Sequence, residues 1–376
     1  MKTRIAIRIL GMSTLLLSWA GAAQAGSVTL AWNPNTDGTT AGYKIYWGPQ
    51  SGIYTGSLDV GNLTTWQLNG LADGAPYYFI VRAYNAARVE SGPSVEVSRR
   101  IGVPYWVAGD FTGDFKSEIG VFRPSTGVWY LRGMNTAYTW GGGGDIPVTG
   151  DYDGDGKVDV AVFRPATGLW YIWRSASQTA LSYTWGGGTD TPVVNDYDGD
   201  GKTDVAVFRP SAGIWYIWQS RTSTGISYTF GGSGDVPVPA DYDGDGKADV
   251  AVFRPTTGVW YILRSNTGTW LTYTWGGWGD VPVPGDYDGD GKTDVAIFRP
   301  TTGDWFVWKS ATQTGMQTTW GGGTDTAVPG DYDGDGKTDL AVFRPMTGSW
   351  YVVQSSTNTS TSVTWGGPGD VPVLKR

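Results

Sequence analysis

From residue 101 to residue 376 the chain writes one phrase six times. A Trp-aromatic pair marks each copy, at Trp129, Trp170, Trp215, Trp260, Trp305 and Trp350. From the second copy to the sixth the spacing is 45 residues. The first interval is four shorter, and the whole deficit lies between Trp129 and Trp140, which marks that stretch as a hairpin tip. Repeats of this length belong to solenoids, propellers or arrays. Each copy holds four strand-like runs, as in "TPVVNDY", "TDVAVFRP", "GIWYIWQ" and "GISYTF". They are dominated by β-branched and aromatic residues and none has a helical period. A short "PSAG" or "PTTG" turn joins the second run to the third. Four strands per copy, six copies and no helix predict a β-propeller.

The third run sharpens this expectation. In "LWYIWRS", Trp170 and Ile172 share one face while Tyr171 and Trp173 share the other. A strand apolar on both faces has to be covered on both, and blades stacked around a ring do that. Val371-Pro372-Val373 repeats the opening of a copy, with a counterpart at Val103-Pro104, so this tail is expected to add a strand to the first blade and close the ring. The count expected is six blades. A seventh, atypical blade would have to come from residues 26–100, which are accounted for otherwise.

The chain has 376 residues, without Cys or His, and a net charge of −8. Residues 1–25 read as a secretory leader: basic Lys2, Arg4 and Arg8, an apolar centre around Leu15, Leu16 and Leu17, and a small-x-small site at Ala23-Gln24-Ala25. The apolar stretch is too short and interrupted to span a membrane. The expected location is secreted: extracellular, at the cell surface, or periplasmic. Removing the leader's three basic residues leaves a net charge of about −11. An exported chain without Cys has no disulfides, so something else must resist unfolding. Lacking His and Cys, it also lacks the usual nucleophiles, general bases and soft-metal ligands, although glycosidase-type carboxylate pairs remain. The acidic balance argues against nucleic acid and suits hard cations.

Residues 26–100 carry no acidic repeat. They read as short alternating strands, "SVTLAW", "GYKIYWG", "TTWQLNGL" and "YYFIVRAYN", with turn-rich connections, as in a β-sandwich. Trp32 in "LAWNPN" and the run "LADGAPYYFIVRAYN" followed by "ESGPS" resemble a fibronectin type III domain. Tyr77, Phe79, Val81 and Ala83 alternate toward one core, and Tyr77 is the expected tyrosine-corner residue. No RGD-type loop is present, which leaves a spacer or docking role. The whole chain is therefore expected to be all-β: a type III sandwich followed by a propeller of about six four-stranded blades.

Five copies open with an acidic phrase such as "DYDGDGKTD". Numbered from its first residue, it places carboxylates at positions 1, 3, 5 and 9, a glycine at 6 and a lysine carbonyl at 7. This is the oxygen set of an EF-hand-like calcium loop. The sites are Asp151, Asp153, Asp155, Lys157 and Asp159; Asp196, Asp198, Asp200, Lys202 and Asp204; Asp241, Asp243, Asp245, Lys247 and Asp249; Asp286, Asp288, Asp290, Lys292 and Asp294; Asp331, Asp333, Asp335, Lys337 and Asp339. Position 12 is an apolar residue such as Val162 and a strand follows, so these are not EF-hands proper. The loop between two strands resembles the FG-GAP, or VCBS-type, repeat of integrin-α-like propellers, over residues 101–376. That resemblance implies calcium, about five ions, held by positions 1, 3, 5 and 9 and the position-7 carbonyl. Copy one departs. In "DFTGDFKSE", Thr112 replaces an acid, Phe115 the turn glycine and Glu118 the last Asp, so weak binding or none is expected there.

Each close carboxylate pair costs on the order of 1–4 kcal/mol at surface-like dielectric. Divalent ions would offset that repulsion, and five would bring the mature chain close to neutral. A structural fastener is the first reading of the metal. Calcium bridging a bound sugar is the other, and it needs an open coordination position.

Alternating strand direction sorts the loops onto two faces, the acidic loops on one and the "RPxTG" turns and "WGGGxD" links on the other. The second face carries Arg123, Arg164, Arg209, Arg254, Arg299 and Arg344, together with Asp145, Asp190, Asp235, Asp280, Asp325 and Asp370. Trp140, Trp185, Trp275, Trp320 and Trp365 lie nearby, with Phe230 substituting once. Cations, acids and flat rings are the parts of a sugar site, repeated for avidity. The same residues could pin each blade to the next. Residues that break the repeat, Trp278 in "GGWGD" and Trp270 in "TGTW", are expected to be exposed. Three functions compete: a binding or adhesion module for extracellular glycan or protein; a docking protein or a non-catalytic accessory of a polysaccharide-degrading system; and an enzyme. No unrepeated acidic cluster favours the last.

Overall fold

The computed structural model describes residues 7–10, 26–35, 38–50, 52–72, 76–94, 96–101, 108–135 and 137–374. The cleavage site Ala23-Gln24-Ala25 and the pair Val103-Pro104 lie outside them. Among the described residues every regular element is a strand, and no helix is long and apolar enough to cross a membrane. The chain divides into two compact units, residues 1–105 and 106–376.

The first unit is a sandwich of two sheets. One joins Ile7–Leu10, Gly26–Trp32 and Thr65–Leu71; the other runs Gly56–Gly61, Thr40–Gly48, Pro76–Asn85, Val97–Arg100. Alternation places Phe79, Val81 and Ala83 in the core with Val28, Leu30, Trp32 and Ile45. The Tyr77 ring packs against this core, and its hydroxyl accepts from the Ala72 amide at 3.3 Å. Ile7–Leu10 falls inside the stretch read as a leader. In the uncut chain it pairs antiparallel with Gly26–Trp32, Ile7 opposite Trp32.

The second unit contains six four-stranded antiparallel sheets. Blade II shows the plan: Ile146–Pro147, Val160–Arg164, Leu169–Arg174 and Thr179–Thr184, in that order. Val160, Ala161, Val162 and Phe163 of its second strand are all buried. The third strand buries Trp170 and Ile172, while Tyr171 and Trp173 pack against a different apolar cluster from theirs. All six landmark tryptophans are fully buried, and each indole N–H donates to a backbone carbonyl, Trp170 to Trp185 O at 2.8 Å for example. Burial on both faces is what the two-sided strand required.

Blade I takes one strand from the far end of the chain. Its order is Val371–Pro372, Gly120–Arg123, Val128–Leu131, Tyr138–Thr139. Val371 lies opposite Phe122 and Pro372 opposite Val121, and the Val373 amide donates to Gly120 O at 3.0 Å. The ring is thus closed by backbone hydrogen bonds between segments some 250 residues apart in sequence, a separation set by the fold's topology.

Two outcomes follow for thermal unfolding monitored by circular dichroism. Trp305→Ala should cost about 3–5 kcal/mol through lost burial and a cavity. A chain ending at Gly369, which lacks the closing strand, should melt lower and over a broader range than the intact chain.

Candidate metal centres and the clamps beneath them

Each acidic loop joins the first strand of a blade to the second. In blade II, Asp151 Oδ1 accepts from the Gly154 amide at 2.6 Å and the Asp155 amide at 3.2 Å, and Oδ2 from Gly156 at 2.8 Å. The turn requires φ of 80° at Gly154 and 86° at Gly156, a region where a side chain is strained. Asp159 takes the amides of Tyr152 and Ser175, at 2.9 and 2.6 Å. Asp155 takes the Lys157 amide at 2.9 Å and the Ser175 hydroxyl at 2.9 Å. Asp153 Oδ2 accepts from the Ala176 amide at 3.1 Å. Residues 175 and 176 belong to the hairpin between strands three and four, so that hairpin and the loop share one face.

Carboxylate oxygens of Asp151, Asp153 and Asp159 come within 4.8 Å of one another, as do those of Asp196, Asp198 and Asp204, those of Asp241, Asp243 and Asp249, and those of Asp286, Asp288 and Asp290. Blade VI repeats the wiring: Asp331 takes the amides of Gly334, Asp335 and Gly336, Asp339 those of Tyr332 and Ser355, and Asp333 that of Ser356. Oδ1 of Asp153, Asp243 and Asp288 is buried without any hydrogen-bond partner. A buried, unsatisfied anionic oxygen is costly, and the same oxygen is orphaned at position 3 of three loops. Hard carboxylate oxygens converging with one of them unpaired fit a divalent cation. Burial pushes Asp159, Asp196, Asp204 and Asp241 up to about 7, and Asp249, Asp286 and Asp294 up to about 6; neighbouring aspartates add to each shift. Asp151 is pushed well above the usual range by the same causes.

The position-7 lysines do a second job. Their aliphatic stems lie against the position-4 glycine of the preceding blade: a Cβ at Gly154 would fall 3.1 Å from Cε of Lys202. Lys247 meets Gly199, Lys292 meets Gly244, Lys337 meets Gly289 and Lys157 meets Gly113 in the same way. Backbone bonds run alongside. Thr203 N donates to Asp151 O, Ala248 N to Asp196 O, Thr293 N to Asp241 O and Thr338 N to Asp286 O, all at 2.6–2.7 Å. Ser117 N to Asp331 O and Val158 N to Asp110 O complete a ring of six. The first residue of every acidic loop is thereby tied to the next blade.

Blade I keeps its place in this ring although its loop is degenerate. Asp110, Asp114 and Glu118 still converge within 4.8 Å. Their oxygens find partners within the chain: Glu118 accepts from the Thr112 hydroxyl at 2.9 Å and the Phe111 amide at 2.6 Å. Phe115 holds the glycine position at a φ of 65°. Burial raises Asp110 to about 6 and Glu118 to about 7.

On the opposite face the arginines and aspartates proposed for a sugar are spent on each other. Arg164 Nε and Nη2 donate to both oxygens of Asp145 at 2.7 and 2.8 Å. Arg209–Asp190, Arg254–Asp235, Arg299–Asp280, Arg344–Asp325 and Arg123–Asp370 have the same two-pronged geometry. The aspartate side chains are at most 1% exposed. Each guanidinium also stacks on an aromatic ring of the third strand, Tyr171 for Arg164 and Phe306 for Arg299. Both oxygens of each Asp accept from an arginine, so Asp190, Asp235, Asp280 and Asp325 are engaged in these pairs, while Arg164, Arg209, Arg254, Arg299 and Arg344 keep 38–40% of their side chains exposed. Of the two readings of this kit, the geometry is that of a clamp between the incoming link and the blade. Trp278 is 82% exposed, and Trp270 is 67% exposed with one edge on Phe230.

These features define a six-bladed propeller with an acidic loop ahead of the second strand of each blade, preceded by a type III sandwich. The chain belongs to the FG-GAP-like repeat family, whose model matches residues 151–207, 196–252, 241–297 and 286–342; an FG-GAP repeat model also matches 323–362. A fibronectin type III domain model matches residues 15–99. Kelch domain-containing protein SSO1033 of Saccharolobus solfataricus is 40% identical over 79 residues, 21% of this chain. The match spans a tenth of that relative's length. Among solved structures, an Agrocybe aegerita lectin described as recognising non-reducing terminal N-acetylglucosamine is 18% identical, covering 66% of this chain and 77% of its own, with a TM-score of 0.47. An auxiliary nutrient binding protein from Bacteroides thetaiotaomicron is 9% identical, covering 90% and 82%, with a TM-score of 0.41.

The raised carboxyls set the pH response of the metal-free protein. Between about pH 4 and 7 the folded chain keeps protons that the unfolded chain has lost. Stability therefore falls as pH rises through that window. In chelator, the melting temperature should be higher at pH 5 than at pH 8.

Proposed function

We propose that the chain is a secreted, calcium-stabilised binding module with no catalytic role, recognising an extracellular glycan or protein through its propeller. The observation that carries the metal assignment is the orphaned Oδ1 of Asp153, Asp243 and Asp288, buried within converging carboxylates. In each of the five full loops, positions 1, 3, 5 and 9 and the position-7 carbonyl would hold one ion. Its charge would offset the carboxylate repulsion and supply the missing partner of the orphaned oxygens. At ten times its dissociation constant, one ion adds about 1.4 kcal/mol per site. The bonds from loop to loop would spread that gain around the ring, which is how a chain without disulfides could stay folded outside the cell.

A non-catalytic role is supported by how the acids are used. The acidic groups of blades II to VI are taken up in large part by loops and clamps, and the chain has no His or Cys. Recognition then falls to residues that depart from the repeat, such as Trp278.

Calcium should raise the melting temperature of EDTA-stripped protein, and elemental analysis should find about five equivalents. Asp288→Ala should remove about one equivalent and a comparable fraction of the shift. An unmoved midpoint would sink the calcium reading. A glycan panel probed in calcium tests the binding reading; retention of a secreted protein partner with no glycan bound would favour the docking alternative.

A further inference from the structure

Five of the six seams between blades share one hydrogen bond. The link tryptophan donates its indole N–H to a third-strand carbonyl of the next blade: Trp140 to Tyr171, Trp185 to Tyr216, Trp275 to Phe306, Trp320 to Tyr351 and Trp365 to Tyr130, all at 3.0–3.1 Å. The seam between blades III and IV has Phe230 instead, which has no N–H to give. The same seam breaks the repeat again. Trp173, Trp218 and Trp308 occupy a position where blade IV has Leu263, and each packs edge-on against a link tryptophan. In blade IV the indole comes from the neighbouring strand, as Trp270, which lies opposite Leu263 and meets Phe230 at 5.1 Å.

This exchange uncovers a ring. Tyr183 and Tyr273 are half-buried in the clusters that hold Trp218 and Trp308. Tyr228 is their counterpart on blade III; it lines the same space as Leu263 and is 40% exposed. Between the two blades lies a cleft of about 380 Å³, with Tyr228, Ala248 and Leu263 in its lining. Ala248, which lines the cleft, takes the place of Thr203, Thr293 and Thr338. The seam between blades V and VI also has a small residue, Val353, but Trp320 keeps its bond there and Thr318 offers no ring.

The charge of the cleft is opposite to that of the chain. Arg221, Lys247 and Arg264 line it against the single carboxylate of Asp198, in a protein of net charge −8. Arg221 is unique among the repeats, where its counterparts are Ala176, Asn266, Ala311 and Ser356. Its Nη2 donates to Gly199 O at 2.7 Å, which anchors it at the cleft.

We propose that the cleft between blades III and IV binds an acidic saccharide, with a pyranose ring on Tyr228 and its carboxylate held by Arg221 and Arg264. A planar guanidinium matches a carboxylate, a half-exposed phenol offers an apolar face beside a polar tip, and the volume suits a short oligosaccharide. The proposal rests on the reading of the chain as a binding module and names its ligand class.

The test is calorimetry of the full chain at fixed free calcium with trigalacturonate, the neutral galactose trisaccharide and a glutamate peptide of equal charge. Trigalacturonate should bind and the other two should not. Arg221→Ala and Tyr228→Ala should each weaken binding at least tenfold. The double variant Leu263→Trp/Trp270→Gly, which restores the arrangement of blades III and V, should abolish it while the calcium-dependent melt stays unchanged. Equal binding of the peptide, no binding of trigalacturonate, or binding unaffected by either single variant overturns the assignment. The single variants decide the matter should the double variant not fold. Binding of other glycans on a panel would show that only the cleft assignment had failed, and a blank panel together with no retained secreted protein would sink the binding-module reading itself.

Discussion

A sheet that is apolar on both faces cannot stand in water alone. In this chain the constraint falls hardest on the second and third strands of each blade, where Phe163, Trp170 and Ile172 and their equivalents are buried. Each blade needs a neighbour on either side, and only a closed ring provides one for all of them. Closure depends on Val371–Pro372 pairing with Gly120–Arg123, and on Asp370 gripping Arg123 as the other aspartates grip their arginines. The chain's two ends of the ring are joined by the same parts that join every other pair of blades.

Packing of this kind places the acidic loops at the rim of the hydrophobic wedges, where they carry a concentration of negative charge. Their geometry is built by the backbone: amides aim at Asp151 and Asp159, and left-handed glycines permit the turn. The loops are not independent. Lysine stems on glycines and amide-to-carbonyl bonds run from each loop to the next, through the degenerate first copy as well. That copy is retained as a link in the ring, with Thr112 taking over where an acid would sit.

Regularity leaves little room for recognition, because a side chain needed at every seam is already committed. The clamped arginines and aspartates show this directly. Under the proposed binding role, recognition falls to departures from the repeat, and they concentrate at one seam. Phe230, Leu263, Trp270, Ala248 and Arg221 each differ from the repeat, and together they open a cleft, expose Tyr228 and invert the local charge. Trp278, alone on its link, is the other marked departure.

Much of this was legible beforehand. The 45-residue period, the four runs per copy and the two-sided third strand announced a propeller, because periodicity and burial are local consequences of side-chain chemistry. The same holds for the acidic phrase, whose spacing alone sets which oxygens can converge. The division of loops between two faces also followed from strand alternation. Sequence by itself left the arginine–aspartate kit open between sugar and scaffold, since both uses demand the same residue types. Only the folded ring paired them, bringing Arg164 to Asp145 and Arg123 to Asp370 as clamps. The cleft likewise belongs to tertiary structure: Leu263 and Tyr228 lie 35 positions apart on different blades, and the space between them exists only once those blades are stacked.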